Sequence, residues 1–417
     1  MYKGPVVQVR EALRFSSRAR PVPLPFPFSL PTFLPPSAGR CGAGGRLAGM
    51  SGASRPGALR RPETFGRYEL RAELASGGMG TVFAAKVHGP GGYEKLVALK
   101  RIHEHLAKDP RFVSMFLDEA RLAARLQHPN VCSVIDFGEV DGSYFLTMPF
   151  LFGETLSRVR RYGSKAEGPL AEAFPFIVCR IVADACEGLH SAHELTNDQG
   201  EPLLVVHRDV SPGNLMVGYD GTASVIDFGV ATARERLHST VTGEVKGKFG
   251  YGAPEQLQSQ PIDRRADLWS LGVILWECFS GRRLFHRPSM AQTVMAVCTA
   301  PVPALSDHWP DAPLELEEVV FKALNRDPER RHRTGRDMGR ALLEALQECG
   351  RSVSTADVAE WMAEVFPDGE LEKRRLFEAA DAPGVATPRM ESDAVSGVRV
   401  PDRTGPRPRV LPPWALD

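Results

Sequence analysis

Asp209, Asn214 and Asp227 stand close together in the stretch VVHRDVSPGNLMVGYDGTASVIDFGV, residues 205–230. All three offer hard oxygen donors, and valine and isoleucine runs flank them. Carboxylates held between apolar, strand-like segments call for a cation, because a buried and unpaired carboxylate is costly. Magnesium prefers one or two carboxylates and completes its shell with water and substrate phosphates. On that basis Asn214 and Asp227 suit a metal, and Asp209 suits an acceptor hydroxyl, as base or orienting group. Taken singly, each acid reads as an ordinary turn residue.

A second cluster lies upstream. YELRAELASGGMGTVFAAKVHGPGGYEKLVALKRI (68–102) alternates as strand, glycine turn, strand, loop and strand. Gly77, Gly78 and Gly80 in that turn let the backbone approach a ligand closely and aim amides at phosphate oxygens. Glycine hairpins are common, so the turn alone decides little. Lys100 ends the apolar run LVALK, where its ammonium needs an anion. The next segment, DPRFVSMFLDEARLAARLQHPNV (109–131), has helical periodicity, with Phe112, Phe116, Ala123 and Leu126 on one face. Glu119 falls on the same face, and an ion pair with Lys100 is the expectation.

These groups need a scaffold, and 417 residues suffice for a two-lobed unit with tails, since single cores stop growing at about 250–300 residues. Charge is balanced at 51 basic and 51 acidic residues, so nothing global points to nucleic acid or a membrane surface. The seven cysteines are scattered without CxxC pairing, which fits a reducing compartment and argues against zinc. LWSLGVILWECF (268–279) is too short for the ~20 residues of a membrane span and carries Glu277, so it reads as a buried core helix. The ends differ in composition. Residues 1–66 are rich in Pro, Gly and Arg and read as a disordered extension, unless translation starts at Met50. Residues 383–417 also read as disordered. TADVAEWMAEVFPDGELEKRRLFEAA (355–380) has helical periodicity and reads as one or two helices on the larger lobe, or as a partner-docking element.

Taken in order, ASGGMGTV, VALK, HPN, HRDVSPGN, DFG, APE and DLWSLGV resemble the motif sequence and spacing of eukaryotic-like protein kinases. The wording is closest to bacterial serine/threonine kinases of the myxobacterial type. The resemblance covers about 68–348. It implies an α+β fold with a small β-rich lobe (about 67–151), a larger helical lobe (about 152–348) and ATP between them. Residues 349–382 then form a helical extension.

The resemblance also assigns roles. Asp209, Lys100 and Glu119 become the catalytic set, with Lys100 on the α- and β-phosphates. Leu74, Ala75, Ser76, Gly77, Gly78, Gly80, Val82 and Ala98 line the nucleotide, Met148 is the gatekeeper, and Pro149, Phe150 and Leu151 form the hinge. Asn214 and Asp227 take magnesium. Ser239, Thr240 and Thr242 are phosphosite candidates on an activation loop, and Arg208 is a partner for such a phosphate. Glu255 should pair with Arg331, and Asp267 should brace the catalytic loop, while His207 reads as a packed core residue.

The chain departs from the pattern at three points. Ala75 stands where the family has its first glycine. Ser211 replaces the usual lysine two residues after the catalytic aspartate, and Lys248 replaces the usual threonine before APE. Lys248, or Lys246, is therefore expected to reach back and supply the missing charge. The function implied is a cytoplasmic enzyme that transfers the γ-phosphate of Mg-ATP to protein serine or threonine, with a regulatory protein as a further partner. A scaffold without catalysis is the competing reading, but Lys100, Glu119, Asp209, Asn214 and Asp227 are all present. A kinase-fold enzyme acting on small molecules fits less well with APE and the activation segment.

Overall fold

The computed structural model describes residues 58–228 and 248–378; the side chains of 58–61 and of Glu119 lie outside that description. Six antiparallel strands form the first sheet: β1 (Ala58–Phe65), β2 (Tyr68–Ser76), β3 (Gly80–His88), β4 (Glu94–Ile102), β5 (Asp136–Val140) and β6 (Ser143–Pro149). Their order is β1-β2-β3-β4-β6-β5. One face buries Phe65, Tyr68, Leu70, Phe83, Val97, Leu99 and Phe145 as a core, as strand alternation requires. The sheet begins earlier than composition suggests. Residues 58–65 fall in the stretch read as disordered, yet they pair with β2 through a turn at Gly66, where φ is +57°. Pairing and the burial of Phe65 override the polar RRPET run.

A short turn of helix, α1 (Glu104–Ala107), precedes α2 (Pro110–Ala124). The α2 start is written locally: Pro110 opens the helix, and the Asp109 side chain accepts from the Arg111 amide at 2.9 Å. Phe112 and Phe116 are buried against Ile102 and Leu146.

The larger lobe carries a small sheet of β7 (Gly153–Thr155), β8 (Leu215–Gly218) and β9 (Ala223–Val225), in that order. Its helices are α3 (Leu156–Gly163), α4 (Pro169–His193), α5 (Pro254–Leu257), α6 (Arg265–Ser280), α7 (Met290–Thr299), α8 (Leu314–Ala323) and α9 (Gly335–Glu348). Helix α6 is buried continuously from Ala266 through Phe279, as an all-round apolar helix must be. It stops at Gly281, in the left-handed region at φ +66°. The extension forms two helices, α10 (Thr355–Val365) and α11 (Gly369–Glu378). The run LLVV (203–206), read as strand-like, is not a strand: Leu204 is at φ +49° and 73% exposed. Its burial runs from exposed Leu204 to buried Val205, and it has no partner strand among the described residues.

Candidate active site

Strand β4 delivers Lys100 to the cleft face of the first sheet. Its side chain is buried, and Nζ donates to Asp227 Oδ1 at 2.9 Å. Among the described side chains this carboxylate is its partner; the expected Lys100–Glu119 pair lies outside them. Burial pushes the Asp227 carboxyl up, but the Lys100 ammonium, helped by Lys248 and His207, outweighs it and holds the pKa below the usual carboxylate range.

Asp227 follows β9 in the left-handed region, at φ +61°, a conformation that Asp tolerates better than most residues. The loop is fixed on both sides. The Ile226 amide donates to the Asn214 carbonyl at 3.0 Å, and the Val225 amide donates to the Asn130 carbonyl at 2.9 Å.

The loop carrying Asp209 is held from beneath. Buried Asp267, on α6, accepts from the amides of His207 and Arg208, each at 2.8 Å. His193 Nε2 adds a third bond to it at 2.8 Å. Burial raises the Asp267 carboxyl, and these bonds more than offset that, so its pKa also ends low. Fastening two successive amides lets Arg208 sit at φ +66°, a position that costs energy unless the surroundings over-determine it. Gln256 Nε2 donates to the Arg208 carbonyl at 3.0 Å. His207 is 1% exposed and packs edge-on against Phe228. Its Nδ1 accepts from the Asp209 amide, so its Nε2 donates to the Ile226 carbonyl at 3.0 Å.

Among the described residues, Asn214 and Lys248 converge on Asp209. Asn214 Nδ2 donates to its carbonyl at 2.7 Å and to Oδ2 at 3.1 Å. Lys248 Nζ donates to Oδ2 at 2.7 Å. Ser211, in contrast, is 3% exposed, and its hydroxyl has no partner among the described residues. Among the described residues Lys248 is a cation bonded to this aspartate.

The glycine turn closes through a Gly77 amide to Gly80 carbonyl bond at 3.0 Å. A Cβ on Gly80 would stand 2.2 Å from the Arg101 carbonyl oxygen, so strand pairing itself demands glycine there. Around Gly77 and Gly78 no atom lies within 4 Å of a Cβ position. The fold does not need glycine at those two, which leaves room for a ligand. His103, not singled out from sequence, bonds through Nε2 to the Gly77 carbonyl at 2.8 Å and tethers the turn. Val82, Ala98 and Met148 are brought onto one surface, with Val82 opposite Lys100 and Ala98 opposite both Ala84 and Met148 in the strand register.

Magnesium fits this donor set. Asp227 contributes a carboxylate, and Asn214, with its NH2 group spent on Asp209, keeps its amide oxygen as acceptor. No cluster of three or more metal-holding His, Cys, Asp or Glu side chains occurs among the described residues, so nucleotide and water would complete the shell. Glu255 and Arg331 form the expected buried pair, with two bonds of 2.7 Å. Ser239, Thr240 and Thr242, with Lys246, lie outside the described residues.

A family model described as a protein kinase domain matches residues 68–339. The chain belongs to the protein kinase family. Tyrosine-protein kinase MasK of Myxococcus xanthus is 42% identical over 327 residues, covering 78% of this chain and 49% of that protein. Serine/threonine-protein kinase PknH of Mycobacterium tuberculosis is 33% identical over 284 residues, covering 68% of this chain and 42% of that one. The crystal structure of the Mycobacterium tuberculosis PknI kinase domain superposes with a TM-score of 0.52 at 28% identity. It covers 69% of this chain and 100% of that one. The two-lobed kinase fold is therefore that of this chain, which spans about half the length of the curated relatives it matches. Helices α10 and α11 lie beyond the kinase match. Among the described residues no helix is long and apolar enough to cross a membrane.

Proposed function

We propose that this kinase transfers the γ-phosphate of Mg-ATP to serine or threonine hydroxyls of protein substrates in bacterial signalling, in the cytoplasm where ATP is at hand. The observation that carries the reading is the pair of lysine–aspartate contacts in one cleft, Lys100–Asp227 and Lys248–Asp209. Lys100 holds phosphate oxygens, and Leu74, Val82, Ala98 and Met148 enclose the base, with the backbone of 149–151 beside it. Bound magnesium would neutralise phosphate charge and orient the leaving group. Asp227 and Asn214 present its ligands. Asp209 accepts a hydrogen bond from the acceptor hydroxyl and aligns it, while Lys248 fixes that carboxylate and adds positive charge where phosphate charge builds up. The acceptor class follows the 33% relative; the 42% relative bears a tyrosine-kinase name, which makes tyrosine the second reading.

The test is transfer of γ-labelled phosphate with magnesium, comparing wild type with Asp209→Asn, followed by phosphoamino-acid analysis. Label on the wild type alone, on serine or threonine, is expected. Equal labelling of both proteins would remove Asp209 from its role, and phosphotyrosine alone would transfer the acceptor class to the second reading.

A further inference from the structure

The two helices beyond the kinase match bind both lobes. Helix α10 is fastened to the larger one: Val358, Trp361 and Met362 are buried, and Trp361 stacks on Phe174 with ring centroids 5.6 Å apart. Trp361 Nε1 donates to the Leu170 carbonyl at 3.0 Å. A Cβ on Gly221, in the β8–β9 turn, would stand 2.0 Å from the Thr355 carbonyl oxygen, so the helix start lies directly on that turn.

Helix α11 then leaves the larger lobe for the small one. Leu376 and Phe377 are buried in a cluster with Ala72 and Ala84, against Leu74, Leu96 and Phe150. The strand register explains the recess. Ala72 faces Ala84, Ala84 faces Ala98, and Ala98 faces Met148 across four strands. Paired Cβ atoms across antiparallel strands are about 4.5–5.5 Å apart, so three alanines in a row make one shallow trough on the cleft face. Leu376 and Phe377 fill its outer end; Ala98 and Met148 bound its inner end, where the base is placed. Leu74 and Phe150 pack against the outer end.

The same helix grips the segment that joins the lobes, on one side of its extended chain. Phe377 meets Phe150 edge-on with centroids 4.8 Å apart. The Arg374 guanidinium lies over the Phe152 ring at 4.8 Å. Lys373 Nζ donates to buried Glu154 at 3.2 Å, and Glu154 also accepts from Tyr219 at 2.7 Å. Residues 150, 152 and 154 alternate as a strand requires, so one helix covers one face of the hinge.

We infer that α11 is a strap in which Phe377 positions the hinge and walls the outer side of the nucleotide site, so that the C-terminal extension sets affinity for ATP. The inference rests on the nucleotide placement proposed above. Phe377 is a positioning residue: it meets Phe150 edge-on, and its cluster packs against Leu74 without including Val82, Ala98 or Met148. A contact made equally before and during phosphoryl transfer changes KM and leaves kcat.

The experiment measures KM for ATP and kcat on the full chain for Phe377→Ala, Phe377→Leu and, as control, Leu371→Ala, whose side chain is exposed on the same helix. Phe377→Ala is expected to raise KM for ATP about 3–10-fold, the worth of one aromatic edge contact, with kcat at saturating ATP within about twofold. Phe377→Leu, which refills the trough without the ring edge, should fall between, and Leu371→Ala should match wild type. An unchanged KM in folded Phe377→Ala and Phe377→Leu overturns the inference. A lowered KM overturns it too, because the helix would then be competing with nucleotide. An active wild type separates these outcomes from failure of the kinase reading, since a wild type that binds no Mg-ATP overturns both.

Discussion

Lys248→Met is the substitution that tests the site most directly. In the structure the ammonium donates to Asp209 Oδ2 at 2.7 Å, with the lysine side chain 35% and the aspartate 22% exposed. A hydrogen bond to a charged group is worth about 1.5–3 kcal/mol. Partial exposure weakens the pair, so about 1.5 kcal/mol is the working figure, or about tenfold in rate. A further loss arises if the ammonium also meets the transferred phosphoryl group, which sets an upper bound of about 100-fold. The assay is steady-state phosphoryl transfer to a protein acceptor over a range of ATP concentrations. The loss should fall on kcat, with KM for ATP little changed, because the lysine faces Asp209 and the hinge lies elsewhere. Thermal stability should shift by no more than the same figure of about 1.5 kcal/mol. The double variant Lys248→Thr with Ser211→Lys should recover most of the rate, because it returns the charge to the catalytic loop. Transfer by Lys248→Met within twofold of wild type, or a double variant no faster than Lys248→Thr, would refute the exchange of charge between these positions.

Glu255→Gln should destabilise the larger lobe by about 3–5 kcal/mol, since it leaves a buried guanidinium without its carboxylate; denaturant melts will show whether the Arg331 pair carries that weight. Burial pushes His332 down to about 4 despite its bond to the Val319 carbonyl. Above the unfolded value of about 6.5 both states are neutral; below it the unfolded chain takes up a proton that the folded one refuses. Stability should therefore fall as pH drops from about 6.5 to 4, by up to about 3 kcal/mol, and urea midpoints of wild type and His332→Gln should converge in their pH slope if another group is responsible. Burial first, and the nearby Asp227 carboxylate second, push the Cys132 thiol up to about 12. Iodoacetamide at pH 8 should leave Cys132 unmodified until denaturant is added, and native labelling there would contradict its placement.

Much of this was legible because kinase motifs are local. A glycine turn, a lysine at a strand end and acids after apolar runs can be read along the chain, as can the Glu255–Arg331 and Asp267 supports. What escaped depends on distance. Residues 58–65 are polar and arginine-rich, and only their pairing with β2 makes them a strand. Leucine and valine at 203–206 look like a strand until the chain turns at Leu204. His103 and His193 gave no signal, because their partners, the Gly77 carbonyl and Asp267, are far away in sequence. Periodicity revealed that α11 has an apolar face. It could not reveal that the face meets Ala72 and Ala84 in the other lobe.

Burial divides the ion pairs of this chain by the work open to them. Arg331 and Glu255 are 0% and 7% exposed, and the guanidinium also bonds backbone carbonyls and lies over the Trp269 ring at 5.1 Å, so separating the pair would strand a buried charge. Asp227, Asp209 and Lys248 keep 30%, 22% and 35% of their side-chain surface, although Lys100 itself keeps only 9%. Water already screens these charges in part, so releasing one partner for another costs less than it would in the core. On the function proposed above, a phosphate chain would offer such an exchange: Lys100 would pass from carboxylate to phosphate, and Asp227 would then be the residue that holds a metal. On that reading the cleft would store its charges in pairs that hold the loops and that a nucleotide would re-partner. Whether a lysine–aspartate pair can do this depends on its depth, which neither its spacing nor its residue types record.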